Sequence, residues 1–259
     1  MIPRFTKHFL VAVWCAAMSC QAPSDAAQRA NEPPPFAGKR PSREEAAARF
    51  ATLVERFPTG VLAGEAMFLV GETSFRAGDL DAALLWLKRH LAEAPKHAAR
   101  PKALFRLGML QGQRADWAAS ATTLAELAAK HADFPGLVEA ELWRGRALAR
   151  QAQRRAARQA LEGVTTRNKG ALAAAARVEL GRLAEEEGDL ESALAEYLKV
   201  AVLYADPDAV SEALFRAGDV LARQGDKERA AAQFRDVISR FPDSTWAKEA
   251  QKRLAQQGG

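Results

Sequence analysis

Cysteine is nearly missing from this 259-residue chain: Cys15 and Cys20 are the only two, and no cysteine follows Cys20. No disulfide framework, zinc site built on thiolates or cysteine nucleophile can therefore form in the remainder. Proline is almost as scarce in the middle, where only Pro135 stands between Pro101 and Pro207, and aromatic residues make up 7%. With alanine and leucine abundant, that balance suits helices and leaves little for a sheet, so the class expected is all-α. The four histidines, His8, His90, His97 and His131, have no second ligand or nucleophile at a motif spacing, and no glycine-rich phosphate loop occurs. No catalytic residue, no metal and no cofactor is expected. A formal net charge of +5 is too mild a surplus to name a partner.

The first forty residues are a different kind of sequence. Arg4 and Lys7 precede an apolar run, Phe9 to Met18, of about ten residues, too short to span a bilayer as a helix and the size of a signal-peptide core. It ends Ala17-Met18-Ser19-Cys20, which resembles the bacterial lipobox, in which a small residue precedes a cysteine that is lipidated and becomes the mature N-terminus. Residues 1–19 are accordingly expected to be a lipoprotein signal peptide, with Cys20 the lipidation site. Cleavage near Ala22 or Ala27 by the general signal peptidase, and an uncleaved anchor, are the alternatives. Gln21, where an aspartate would favour inner-membrane retention, points to the outer membrane. Residues 20–41 carry Pro23, Pro33-Pro34-Pro35 and Pro41 among polar residues. Such a composition cannot bury a core, and it reads as a flexible tether.

From Ser42 onward the chain repeats itself. Ala103 to Gly108 reads ALFRLG and Ala213 to Gly218 reads ALFRAG, and Gly71, Gly108, Gly145, Gly181 and Gly218 are spaced by 37, 37, 36 and 37 residues. Each of these glycines is a reference point. Twelve residues on stand Ala83, Ser120, Ala157, Ala193 and Ala230, all small; sixteen on stand Leu87, Leu124, Leu161, Tyr197 and Phe234, all large. Gly78-Asp79, Gly188-Asp189 and Gly225-Asp226 supply a helix-stopping glycine and a helix-starting aspartate. The pattern predicts helix A, a tight turn, helix B, and a turn into the next unit, repeated along 42–259 as one solenoid domain.

Glycine, Gly-Asp, alanine, an aromatic and proline at these offsets resemble the tetratricopeptide repeat. The resemblance implies a right-handed superhelical solenoid of about five helix pairs. Ala46, Phe50 and Pro58 match an N-terminal half repeat lacking its helix A, and Ser244 to Gln256 matches a capping helix with Trp246 inward and Lys248, Glu249, Lys252 and Arg253 toward water. The period exceeds the usual unit of about 34 residues, with the extra residues assigned to the turn after helix B, as in 93–100. Trp86, Trp117 and Trp143 read as core residues between helices.

The resemblance also implies where binding would occur. Family members bind on the concave surface lined by helix A, at residues one and five positions after the reference glycine, here Glu72, Arg76, Met109, Gln113, Arg146, Arg150, Arg182, Glu186, Asp219 and Arg223. Five arginines in one groove suit an acidic or C-terminal-carboxylate ligand, unless neighbouring acids answer them. Charge is also uneven along the array. Residues 138–171 hold eight cations against three carboxylates, and residues 172–210 hold three against nine. The charge contrast reads either as the two units attracting each other or as the basic one forming a patch for an acidic partner or anionic lipid headgroups. The period and closing turns look like those of the lipoprotein subunit of the outer-membrane β-barrel assembly machine and of the Tol-Pal-associated division coordinator. The expected function is a non-catalytic, lipid-anchored scaffold for envelope proteins, or alternatively a pilotin-like factor. No nucleic acid and no small-molecule substrate is expected.

Overall fold

Five times the chain runs out along one helix, reverses in a few residues and returns along a second. The computed structural model describes residues 42–60 and 62–257, and the leader, Cys20 and the tether lie outside them. Among the described residues all regular structure is helical: α1 (Arg43–Arg56), α2 (Ala63–Ala77), α3 (Leu80–Glu93), α4 (Arg100–Gln113), α5 (Trp117–Lys130), α6 (Leu137–Arg150), α7 (Arg154–Arg167), α8 (Ala171–Glu187), α9 (Leu190–Leu203), α10 (Pro207–Arg223), α11 (Lys227–Arg240) and α12 (Thr245–Gln257). α1 is the half repeat, the pairs α2/α3 to α10/α11 are the A and B helices of five units, and α12 is the cap.

The A-to-B reversals follow from local chemistry. Gly78, Gly188 and Gly225 end their A helices at φ of 81°, 80° and 86°, a left-handed conformation that costs glycine nothing. Asp79, Asp116, Asp189 and Asp226 then cap the B helices by accepting hydrogen bonds from the backbone N–H of Ala82, Ala119, Ser192 and Arg229. The second and third units make the same turn with Ala115 (φ 59°) and Ala152 (φ 56°), and in the third Gln153 replaces the aspartate without capping by its side chain. At the start of the array, Ser42 Oγ accepts from the Glu45 N–H while a Glu45 carboxylate oxygen accepts from the Ser42 N–H, a reciprocal capping box.

The reference glycines allow helix B to lie close on helix A. A Cβ at Gly108, Gly145, Gly181 or Gly218 would come within 2.4–2.7 Å of Leu124, Leu161, Tyr197 or Phe234, the residues sixteen positions on. Those large side chains are 0–1% exposed. Burying each contributes roughly 1.5–3 kcal/mol. Trp86, Trp117 and Trp143 pack against the buried clusters between helices, and Trp246 lies against Phe215 with ring centroids 5.2 Å apart. In the cap, Arg253 does more than face water, since its Nε donates to Asp219 Oδ1 at 2.8 Å.

The extra residues of the long period are placed in two ways. Residues 94–99 and 131–136 form the expected longer turns, but the later connections shrink to 168–170 and 204–206, and α8 and α10 grow to 17 residues each. Alanine-rich Ala171-Leu172-Ala173-Ala174-Ala175-Ala176 and the Asp206-Pro207 start favour beginning helix A early.

Each B helix touches the A helices on either side of it, successive A helices from α2 to α12 touch each other, and no B helix touches another B helix among the described residues. An array packed closer on one side than the other curves, with the A helices inside. The A-helix face is therefore the concave one.

Candidate functional site: the inner helix face

The residue after each reference glycine meets, on the next A helix, the residue two before the next reference position. At the first junction these are Glu72 and Arg106, joined bidentately at 2.8 and 3.0 Å. At the third, Arg146 Nε donates to Glu179 at 2.9 Å. The last pair is Asp219 with Arg253. Three of the five junctions thus carry opposite charges in register, a clasp running along the floor of the groove.

The other two junctions resolve differently. Met109 faces Trp143, which packs on the same apolar cluster, while the adjacent Arg144 turns back to Glu141 of its own helix at 2.7 and 3.0 Å; Met109 itself is 9% exposed. Arg182 would face Arg216, two like charges, and carboxylates separate them. Glu212 accepts from Arg216 Nε at 2.7 Å and lies 3.9 Å from Arg182 Nη1, which Glu179 approaches to 3.7 Å as well. Glu185 is the densest node. It accepts from the Tyr197 hydroxyl at 2.6 Å and from Arg223 at 2.8 Å, with Arg216 at 3.8 Å. Burial and the facing Glu185 carboxylate push the Tyr197 phenol far above its usual range, so it remains a donor.

Of the five groove arginines, Arg76 is held by Glu72, Arg146 and Arg182 by Glu179, and Arg223 by Glu185. Arg150 is exposed and has no ion pair among the described residues. Gln113 and Glu186 are exposed as well. The ten candidate residues therefore lie on one face but do not converge on one point. Sequence reasoning passed over Arg106, Glu179, Glu185, Glu212, Arg216 and Arg253. Opposite charges 33 or 34 residues apart were the available signal.

The uneven charge of the third and fourth units is partly spent between them. Arg158 of α7 reaches Glu187 of α8 at 2.6 Å, alongside Arg146 and Glu179. Arg154, Arg155, Arg167 and Lys169 remain exposed.

Two concavities of the described surface bear on binding. One, of about 330 Å³, lies between the turn after α1 and the turn after α3 and is lined by Pro58, Met67, Pro95 and His97 among others. Behind it, His90 is 0% exposed, its Nδ1 donates to Gly64 O at 2.8 Å, and its Nε2 has no partner. The corresponding residue of the other four units is Leu127, Val164, Val200 or Val237, so His90 is a polar ring in an apolar layer. Burial holds its pKa below the ordinary histidine value, and His97 and Arg100 act the same way, against the opposing pull of the Gly64 carbonyl. The second concavity, of about 510 Å³, opens on the A-helix face between α6, α8, α10 and α12.

Family models described as tetratricopeptide repeat match residues 42–98 and 142–210, and residues 102–133 and 212–244. No curated protein matches the chain. Among solved structures it is similar to YrrB, described as a TPR protein with an unusual peptide-binding site, at 18% identity and a TM-score of 0.57 over 80% of this chain and 99% of that one. It is also similar to PilW, described as a widely conserved type IV pilus biogenesis factor, at 19% identity and 0.61 over 82% and 90%. MamA from Desulfovibrio magneticus RS-1 matches at 20% and 0.55 over 78% and 100%. At these identities the likeness is one of fold.

Proposed function

We propose, from the premise that this chain belongs to the tetratricopeptide-repeat family, that it is a non-catalytic, lipid-anchored scaffold of the bacterial cell envelope. The observation that carries the scaffold reading is the row of A helices, α2 to α10, laid side by side with no B helix covering their inner face. Such a face offers a long surface to an extended or helical partner segment, and each unit adds side chains at the same two positions. Arg76, Gln113, Arg150, Glu186 and Arg223 are the exposed members of the candidate set, while Glu72, Met109, Arg146, Arg182 and Asp219 shape the floor. The charge clasp keeps that floor in register, so the groove is preorganised before a partner arrives.

Attachment to the outer membrane through Cys20 rests on the Ala17-Met18-Ser19-Cys20 motif and the proline-rich stretch behind it. Cys20→Ser is expected to leave a folded periplasmic protein that no longer sediments with membranes; unchanged sedimentation would overturn the anchor. Partners are sought among envelope proteins by in-cell crosslinking and pull-down of the tagged full chain. Recovery of barrel-assembly components would make it a subunit of that machine, and recovery of Tol-Pal or cell-wall synthesis proteins would make it a coordinator of constriction. Recovery of a secretin or pilus components would favour the pilotin-like role.

A further inference from the structure

The concavity between α6, α8, α10 and α12 differs from the rest of the groove in having its own chemistry. Its floor is apolar, formed by Ala175, Val178 and Ala209, and Trp246 makes one wall. Its rim holds five carboxylates, Glu179, Asp206, Asp208, Glu212 and Asp243, against the single guanidinium of Arg146. The carboxylates are not equivalent. Glu179 and Glu212 are engaged by Arg146, Arg182 and Arg216, and Asp206 caps α10 through the Ala209 N–H at 2.9 Å. Asp208 and Asp243 are exposed, and their side chains have no hydrogen-bond or ion-pair partner among the described residues.

An apolar floor beside an aromatic wall, with free carboxylates at the mouth, suits one kind of side chain. Lysine and arginine carry a long hydrocarbon stem that prefers apolar contact and a cationic head that seeks carboxylates and water. A carboxylate ligand would meet its own sign and be repelled. A volume of about 510 Å³ exceeds what one side chain fills, so a short stretch of chain can enter with it.

We infer that this concavity is a docking site for a lysine- or arginine-bearing extended segment of a partner protein, with Asp208 and Asp243 taking the cationic heads. The inference rests on the scaffold reading and reverses the ligand charge that the groove arginines alone suggest. Four of those five arginines are answered within the fold, Arg150 being the exception, and the free charge at this end of the groove is negative.

The test uses the full mature chain and a fluorescein-labelled ten-residue peptide of alternating lysine and alanine, with the glutamate–alanine peptide as counter-probe, read by anisotropy near physiological salt. The lysine peptide is expected to bind, and Asp208→Asn with Asp243→Asn to weaken it by about tenfold or more, the loss of charge-assisted hydrogen bonds. Glu191→Gln with Glu228→Gln makes the same charge change at exposed carboxylates on α9 and α11 and is expected to alter affinity less than twofold. Both pairs lie on the surface, and unchanged helicity and unfolding midpoint show that the variants fold. Equal losses in the two pairs would overturn the inference, as would preference for the glutamate peptide or no binding of the lysine peptide. Capture of an envelope partner from cells without binding of the lysine peptide would leave the scaffold standing and remove only the basic-ligand assignment.

Discussion

Gly181→Ala is expected to destabilise the array far more than Gly71→Ala, although both replace the reference glycine of a unit. An alanine Cβ at 181 would lie 2.4 Å from Tyr197 Cε1 and 2.8 Å from Cδ1 and Cζ. The ring cannot swing aside easily, because Tyr197 is 0% exposed and its hydroxyl is tied to Glu185 at 2.6 Å, which Arg223 holds in turn. Overpacking costs roughly 1–3 kcal/mol, and loosening the hydroxyl from a charged acceptor adds about 1.5–3. Alanine's better helix propensity returns about 1. The net loss is about 1.5–5 kcal/mol. At Gly71 the nearest atoms are Leu87 Cγ at 3.0 Å and Cδ2 at 3.1 Å, a flexible side chain, so strain of about 1 kcal/mol and the propensity gain nearly cancel. Urea unfolding followed by circular dichroism reads the difference: with a slope of about 2 kcal/mol per molar, Gly181→Ala lowers the midpoint by about 0.8–2.5 M, and Gly71→Ala leaves it almost unmoved. Equal shifts, or a stabilised Gly181→Ala protein, would refute the idea that close B-on-A packing sets the glycine period.

Three other substitutions probe features specific to single units. Ala115→Gly and Ala152→Gly should each stabilise the chain by about 1 kcal/mol, because they relieve an alanine of a left-handed conformation; thermal unfolding checks this, and a lowered midpoint would contradict it. His90 makes stability depend on pH with a definite sign. Its folded pKa lies below its unfolded value, so the native state binds fewer protons, and stability is full above about pH 6.5 and falls as pH drops below it. His90→Leu, which copies Leu127 of the next unit, should flatten that part of the stability–pH curve; an unchanged slope would assign it to other groups.

The fold was legible because the repeat displays its packing rule five times. A glycine paired with a bulky residue sixteen positions later, and a small residue at twelve, can only be one helix lying on another. Departures appear where one unit breaks the rule without changing its length. Ala115 and Ala152 keep the turn without its glycine, since neighbouring units hold the geometry they must adopt. The longer α8 and α10 follow from alanine and Asp-Pro starts that a glycine-centred register does not weigh. The groove was legible as a face but not as a charge pattern. Arg146 and Arg182 look like free cations in sequence because their carboxylates, Glu179 and Glu212, belong to the next A helix or to another turn of their own. The second concavity drew no attention in sequence, since Val178, Asp208, Asp243 and Trp246 meet only when three units are stacked.

The central claim, that the A-helix face holds the partner, is tested most directly by site-specific photocrosslinking in cells. A photoreactive residue is placed at Gln113 or Glu186 on the inner face, and at Leu85 or Glu191 on B helices as controls. The account predicts a discrete crosslinked envelope protein from the inner positions and none of it from the outer ones. The same adduct from Leu85 and Glu191 alone would place the partner on the convex side and contradict the account.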